Sequence, residues 1–130
     1  MNEEKTTNLS VDEMEYDAAE REAVDSIDTY LHAFKRPFTY EGVTYDELYF
    51  DWGSLTGEDS LAIENECAMI GKTVIVPEIS GEYKIRMAVR ACQTIKNGKR
   101  LGLDAFKKMP MGDYNRICGK ARSFLLRSGL

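Results

Sequence analysis

Apolar positions along the chain change period several times, and each change marks an element. Residues 29–50 alternate apolar and polar in the β manner. "RPFTYEGVTYDELYFDW" supplies β-branched and aromatic residues on either side of Glu41-Gly42, a turn pair in which glycine takes positive φ at no steric cost. The pattern predicts a hairpin, with a strand start at 29–35. Pro37 cannot donate to a ladder and so belongs at an edge or strand entry. An isolated hairpin is marginal and has to lie on helices or pair with another chain.

The helical period follows. Ile63, Cys67 and Ile70 make the stripe of a helix over 57–70, stopped by Gly71. "KTVIVPEIS" (72–80) reads as an extended connector, because Pro77 bars it from a central strand. Ser80 caps a helix over 81–96 with Ile85, Ala88, Val89, Cys92 and Ile95 on one face, and Asn97-Gly98 reads as its stop. A helical turn around Leu103, Phe106 and Met109 closes at Pro110. The last helix, about 112–127, carries Tyr114, Ile117, Cys118, Ala121, Phe124 and Leu125 at helical offsets. Ile85, Val89 and Cys92 on one helix, and Ile117, Ala121 and Phe124 on the other, are the expected core.

Before the hairpin the text is ambiguous. Tyr16, Ala19, Ala23, Ile27, Tyr30 and Phe34 fit one helical face, yet Tyr30, His32 and Phe34 also follow the strand period. Residues 1–28 read as an acidic, partly disordered or loosely helical segment, with a helix over 12–27 not tightly docked. Residues 29–130 read as one domain. The predicted fold is mainly α (α+β): an N-terminal β-hairpin followed by a small bundle of three to four helices.

Length and composition add limits. A chain of 130 residues with 43% hydrophobic content suits one domain with a modest core. No apolar run approaches the ~18 residues that would span a bilayer, and the N-terminus has no basic segment leading into an apolar one, so a soluble intracellular protein with no membrane contact is expected. Cys67, Cys92 and Cys118 contain no C-x-x-C pair and His32 is the single histidine. Buried free thiols are expected, and neither a zinc site nor a cofactor is.

Charge divides the chain. Residues 1–66 carry 18 acids and 4 bases, a net of −14; residues 67–130 carry 4 acids and 13 bases, a net of +9. Such asymmetry suggests a charged partner, or two halves of one fold that meet each other.

"LTGED" (55–59) has the look of a phosphate floor but reads as a structural cap. Thr56 and Asp59 are spaced for a capping box, and Glu58 with Asp59 suits the helix dipole while repelling an anion. Gly57 at the first helical position suggests a backbone packed closely under the hairpin. No nucleotide-binding glycine motif or EF-hand loop is present in the sequence. His32 has no motif around it, which is the setting of a surface or half-buried histidine rather than a general base. No catalytic, cofactor-binding or metal-binding residue is assigned, and the chain is not expected to be an enzyme.

The segment "FKRPFTYEGVTYDELYFDWGSLTGEDSLAIENE" resembles the core of the tail assembly chaperones of long-tailed bacteriophages and related prophage elements. The matching positions are Lys35, Pro37, Phe38, Gly42, Tyr45, Leu48, Phe50, Leu55, Thr56, Gly57, Asp59 and Glu64 or Glu66. "YKIRMAVRAC" (83–92) is similar to the family's following helix, and "ARSFLL" (121–126) to its ending, so the resemblance covers about residues 34–126. The acidic stretch before it departs from the family pattern. The resemblance implies a helical, non-enzymatic protein of the host cytoplasm that binds the tape measure protein before tail tube polymerisation. It also implies self-association, absence from the mature virion and, in many members, a longer frameshifted product.

A chaperone of this kind needs apolar surface to offer, and Tyr40, Tyr45, Tyr49 and Trp52 on the hairpin are the candidates. Packing of these residues on the helices is the competing reading. Two other classes remain. The basic second half could contact nucleic acid, through Arg86 and Arg90 on one helix face and Arg116, Lys120 and Arg127 on another. The acidic pI near 5.0 and the absence of a helix-turn-helix or RNA-binding signature stand against that. A structural tail or connector protein that stays in the particle is the third.

Overall fold

The computed structural model describes residues 28–128; the acidic helix expected over 12–27 lies outside them. β1 (Thr29–Tyr40) and β2 (Val43–Asp51) form the antiparallel hairpin. Glu41 (φ 50) and Gly42 (φ 80) make the two-residue left-handed turn whose twist matches that of the flanking strands. The ladder pairs Tyr40 with Val43 and Tyr30 with Phe50, but slips between Ala33 and Phe38. There Phe34–Pro37 stand opposite Asp46 alone, a bulge that takes Pro37 out of the ladder. Opposite this bulge the buried positions of β2 change phase, from Tyr45 to Leu48 and Phe50.

A 3₁₀ turn (Trp52–Ser54) leads to α1 (Gly57–Met69). The capping box forms: the Asp59 carboxylate accepts from the Thr56 N–H at 2.8 Å and from its hydroxyl at 3.2 Å. Nothing lies within 4 Å of where a Gly57 Cβ would stand, so the expected close backbone approach is absent and the cap alone sets this helix start. The other end is a Schellman closure. Gly71 takes φ 78, its N–H donates to the Ala68 carbonyl, and the Lys72 N–H reaches that of Cys67.

Beyond a connector with a 3₁₀ turn (Pro77–Ile79), α2 spans Gly81–Ala91, and Ser80 Oγ accepts from the Tyr83 N–H. The helix ends five residues before the predicted 96. Cys92 is extended and bridges Phe50, the Gln93 N–H donates to the Tyr49 carbonyl, and the Tyr49 N–H donates to Thr94 Oγ1. Residues 92–94 thus cover the free edge of β2, and satisfying those backbone groups outweighs another helical turn. Asn97-Gly98 is a hairpin turn rather than a helix stop. With φ of 52 and 71 it joins β3 (Ile95–Lys96) to β4 (Lys99–Arg100). α3 (Leu103–Lys107) and α4 (Met111–Ser128) complete the chain.

The hairpin packs on these helices around Leu48, Phe50, Trp52, Ile63, Phe106 and Ile117, all fully buried. Phe50 stacks on Trp52 (5.2 Å between ring centroids) and meets the edge of Phe106 (6.1 Å), favoured geometries for aromatic pairs. Ile85, Cys92, Ile117 and Ala121 are buried as expected, whereas Val89 and Phe124 are half-buried against the core. Among the described residues no helix is long and apolar enough to cross a membrane.

Candidate partner-binding surface

The four hairpin aromatics do not assemble a surface. Trp52 is 1% exposed and Tyr45 4% exposed, because both lie on the side of the chain that turns onto the helices; neither can meet a partner. Tyr40 and Tyr49 are half-buried. Tyr40 packs against the core, and the Tyr45 ring carries Lys96 Nζ 5.3 Å above it.

Exposed apolar surface gathers elsewhere, where α1 ends and the connector crosses to α2. Met69, Ile70, Ile75, Val76 and Ile79 are all solvent-exposed, Ile75 to 86%. Ile75, Val76 and Ile79 line an open groove of about 770 Å³ with Gly71 and Tyr114. Local sequence explains the ridge. The Gly71 closure turns the chain away from α1, and Pro77 keeps the β-branched run out of any ladder, so its side chains find no second layer. Residues 72–80 are expected only as a connector; the sequence signal for the ridge is their β-branched run in a segment that Pro77 bars from a sheet.

Chain-wide comparison with protein-family models, curated proteins and solved structures returns no match.

The two arginines of α2 are already engaged. Arg90 donates to Asp59 Oδ1 (2.9 Å) and Glu66 Oε2 (3.3 Å), while Arg86 reaches Glu66 Oε1 (3.4 Å) and Glu82. Acids of the first half and bases of the second therefore meet across α1 and α2. Asp59 serves the cap and the bridge at once; the Thr56 N–H, and then Arg90, hold its carboxyl below the usual range.

His32 departs furthest from expectation. It is 0% exposed, not at the surface or half-buried, and both ring nitrogens are engaged. Tyr30 Oη lies 2.8 Å from Nδ1, and Nε2 lies 2.8 Å from Asp113 Oδ1. Arg116 donates to that same oxygen at 2.9 Å. The row Tyr30–His32–Asp113–Arg116 ties β1 to the first turn of α4. Burial lowers the His32 pKa, against the pull of the Asp113 hydrogen bond. The neutral ring fits the contacts: Nε2–H donates to the carboxylate and Nδ1 accepts from the phenol. With no exposed surface, neither nitrogen is open to a substrate proton, and the arrangement is a polar joint between two layers.

Cys67 and Cys92 are buried and Cys118 half-buried, all as free thiols, and burial pushes each thiol pKa up. Among the described residues no group of three or more His, Cys, Asp and Glu is placed to hold a metal.

Proposed function

We propose that this chain is a non-enzymatic tail assembly chaperone of a long-tailed phage or prophage, which holds the tape measure protein in solution before tail tube subunits polymerise around it. One observation carries the reading: the exposed ridge of Met69, Ile70, Ile75, Val76 and Ile79 beside an open groove. Among the described residues, five of the nine exposed large apolar side chains fall within residues 69–79, and apolar surface concentrated in one place marks an interaction site. A groove of this kind suits the apolar face of an amphipathic helix, the repeated feature of a long helical client. The resemblance of residues 34–126 to the chaperone family supports the same reading. The ridge takes over the role first assigned to the hairpin aromatics.

The nucleic-acid alternative loses two of its contacts, since Arg86 and Arg90 face carboxylates. Co-expression tests the proposal. The longest helical protein encoded beside this chain should become soluble and co-purify with it, and should stay insoluble when expressed alone. Failure to retain that protein, joined to salt-sensitive binding of DNA or RNA, would refute the proposal. Mass spectrometry of purified particles separates a chaperone, absent from the virion, from a connector that stays in it.

A further inference from the structure

Lys96 and Lys99 stand directly opposite each other in the β3–β4 ribbon, and Ile95 faces Arg100. Like charges placed across a ladder destabilise it, and strands of two residues have few other contacts to offset that cost. Residues 95–101 carry these three cations and no acid. Arg86 and Arg90 pair with carboxylates, but among the described residues none of the ribbon's cations does. Lys96 Nζ donates to the Thr44 carbonyl at 2.6 Å, and Arg100 donates to the carbonyls of Arg90 (3.1 Å) and Cys92. A carbonyl is neutral, so both side chains tie the ribbon to the body and still keep their full charge. Lys99 is exposed and has no such tether among the described residues. The fold makes no use of its charge.

Across a cleft of about 150 Å³ the ribbon faces the turn of the first hairpin. Lys96, Lys99 and Arg100 line one side, and Tyr40, Glu41 and Val43 the other. Tyr45 is buried with Lys96 above its ring, so Tyr40 is the ring that the cleft can offer. Tyr40 is half-buried and stacks on Phe38, with centroids 6.4 Å apart and planes at 17°, which fixes its orientation. Glu41 is the carboxylate that lines the cleft, against three cations. Asp104 is close enough to act on Tyr40 but lines no part of it.

We propose that this cleft binds single-stranded nucleic acid, with one base against Tyr40 and its phosphate on Lys99, in the field of Lys96 and Arg100. Cations beside an aromatic ring are the usual means of holding a single strand without reading its sequence. A space this small admits one planar group and excludes a duplex. An acidic peptide would use the cations alone; the tyrosine beside them favours a ligand that carries a flat ring and an anion together. The cleft shares no residue with the groove beside the apolar ridge, and it needs neither Arg86 nor Arg90.

Fluorescence anisotropy of the full chain with a labelled oligouridylate of about ten nucleotides, within the usual span of single-strand sites, tests this over a range of salt. Lys99→Glu, at an exposed position, should melt as wild type does and bind at least about ten-fold more weakly at ~0.1 M salt. Lys99→Gln should make the log–log salt slope shallower by ~0.7, the share of one neutralised phosphate. Tyr40→Leu should weaken binding about ten-fold through lost stacking and leave that slope unchanged, while Tyr40→Phe should bind as wild type. No saturable binding at low salt would overturn the proposal, as would wild-type affinity in Lys99→Glu or in Tyr40→Leu. Displacement by polyglutamate as effective as by unlabelled oligouridylate would also overturn it, since the cleft would then be a site for acidic peptide.

Discussion

Replacing His32 by alanine removes a ring with no exposed surface from the joint between β1 and α4. The ring is close to an aromatic side chain in volume, so the cavity alone should cost about 3–5 kcal/mol, as large-to-alanine changes in cores do. Tyr30 Oη then loses its acceptor at Nδ1, while the Asp113 carboxylate keeps Arg116. Chemical denaturation at pH 7.5 should show a lower midpoint at unchanged m-value. His32→Gln separates geometry from titration. Its amide can donate to Asp113 and accept from Tyr30 without taking a proton, so it should lose far less stability. The pH dependence then distinguishes wild type from His32→Gln. Burial holds the folded pKa of His32 below its usual 6.5, so as pH falls below that value the unfolded chain takes up the proton first. Stability is full above about 6.5 and declines toward the folded pKa, with a slope of at most ~1.4 kcal/mol per pH unit for one group. The charged and titratable neighbours in the joint are Tyr30 on β1 and Asp113 and Arg116 on α4. His32→Gln should lack this share of the slope. A loss below about 1 kcal/mol for His32→Ala, or equal slopes for wild type and His32→Gln, would refute the buried joint.

Thr56→Ala should cost about 1 kcal/mol, the usual loss of an N-cap, and Asp59→Ala should cost more because it also removes one of the two carboxylates that hold Arg90; thermal melts that rank the two the other way would count against the shared cap and bridge. Gly98→Ala should destabilise by about 1 kcal/mol, since residue 98 holds φ 71 in a turn that disfavours a Cβ; an unchanged melt would mean that the β3–β4 turn is not formed. Phe124→Ala should fall short of the ~3–5 kcal/mol of a fully buried phenylalanine, because Phe124 is half-buried; urea titration reads the difference.

The hairpin, the Thr56 and Ser80 caps, the Gly71 stop and the last two helices were legible because each rests on local chemistry: turn residues, cap spacing or an unbroken apolar period. The misreadings share another cause. Ile95 kept the helical period past Ala91, but the edge of β2 claimed residues 92–94, a demand made by strands some forty residues away in sequence. With the helix ended, Asn97-Gly98 served as a hairpin turn, a use that the same dipeptide equally permits. The burial of His32 depends on Asp113, which is 81 residues distant, and no local pattern announces such a partner. Tyr45 and Trp52 looked available because aromatics on a hairpin have two faces, and the phase change opposite the bulge decides which one is covered. The division of charge was plain in the sequence. Its resolution into Arg86 and Arg90 with Asp59 and Glu66 required α1 and α2 to be laid side by side.

The ridge is central to the proposed function, and quantitative pull-down reads it most directly. The chain and its double substitution Ile75→Asp and Ile79→Asp are each co-expressed with the long helical protein encoded beside it, and captured at low and high salt. Both positions are exposed, so the substituted chain should melt as wild type does. Wild type should retain the helical protein at ~0.1 M salt, where screening acts over ~10 Å, and should keep most of it at high salt because the contact is apolar. The substituted chain should lose it at both. Equal retention by the two chains, or retention by wild type that vanishes with salt, would contradict the account.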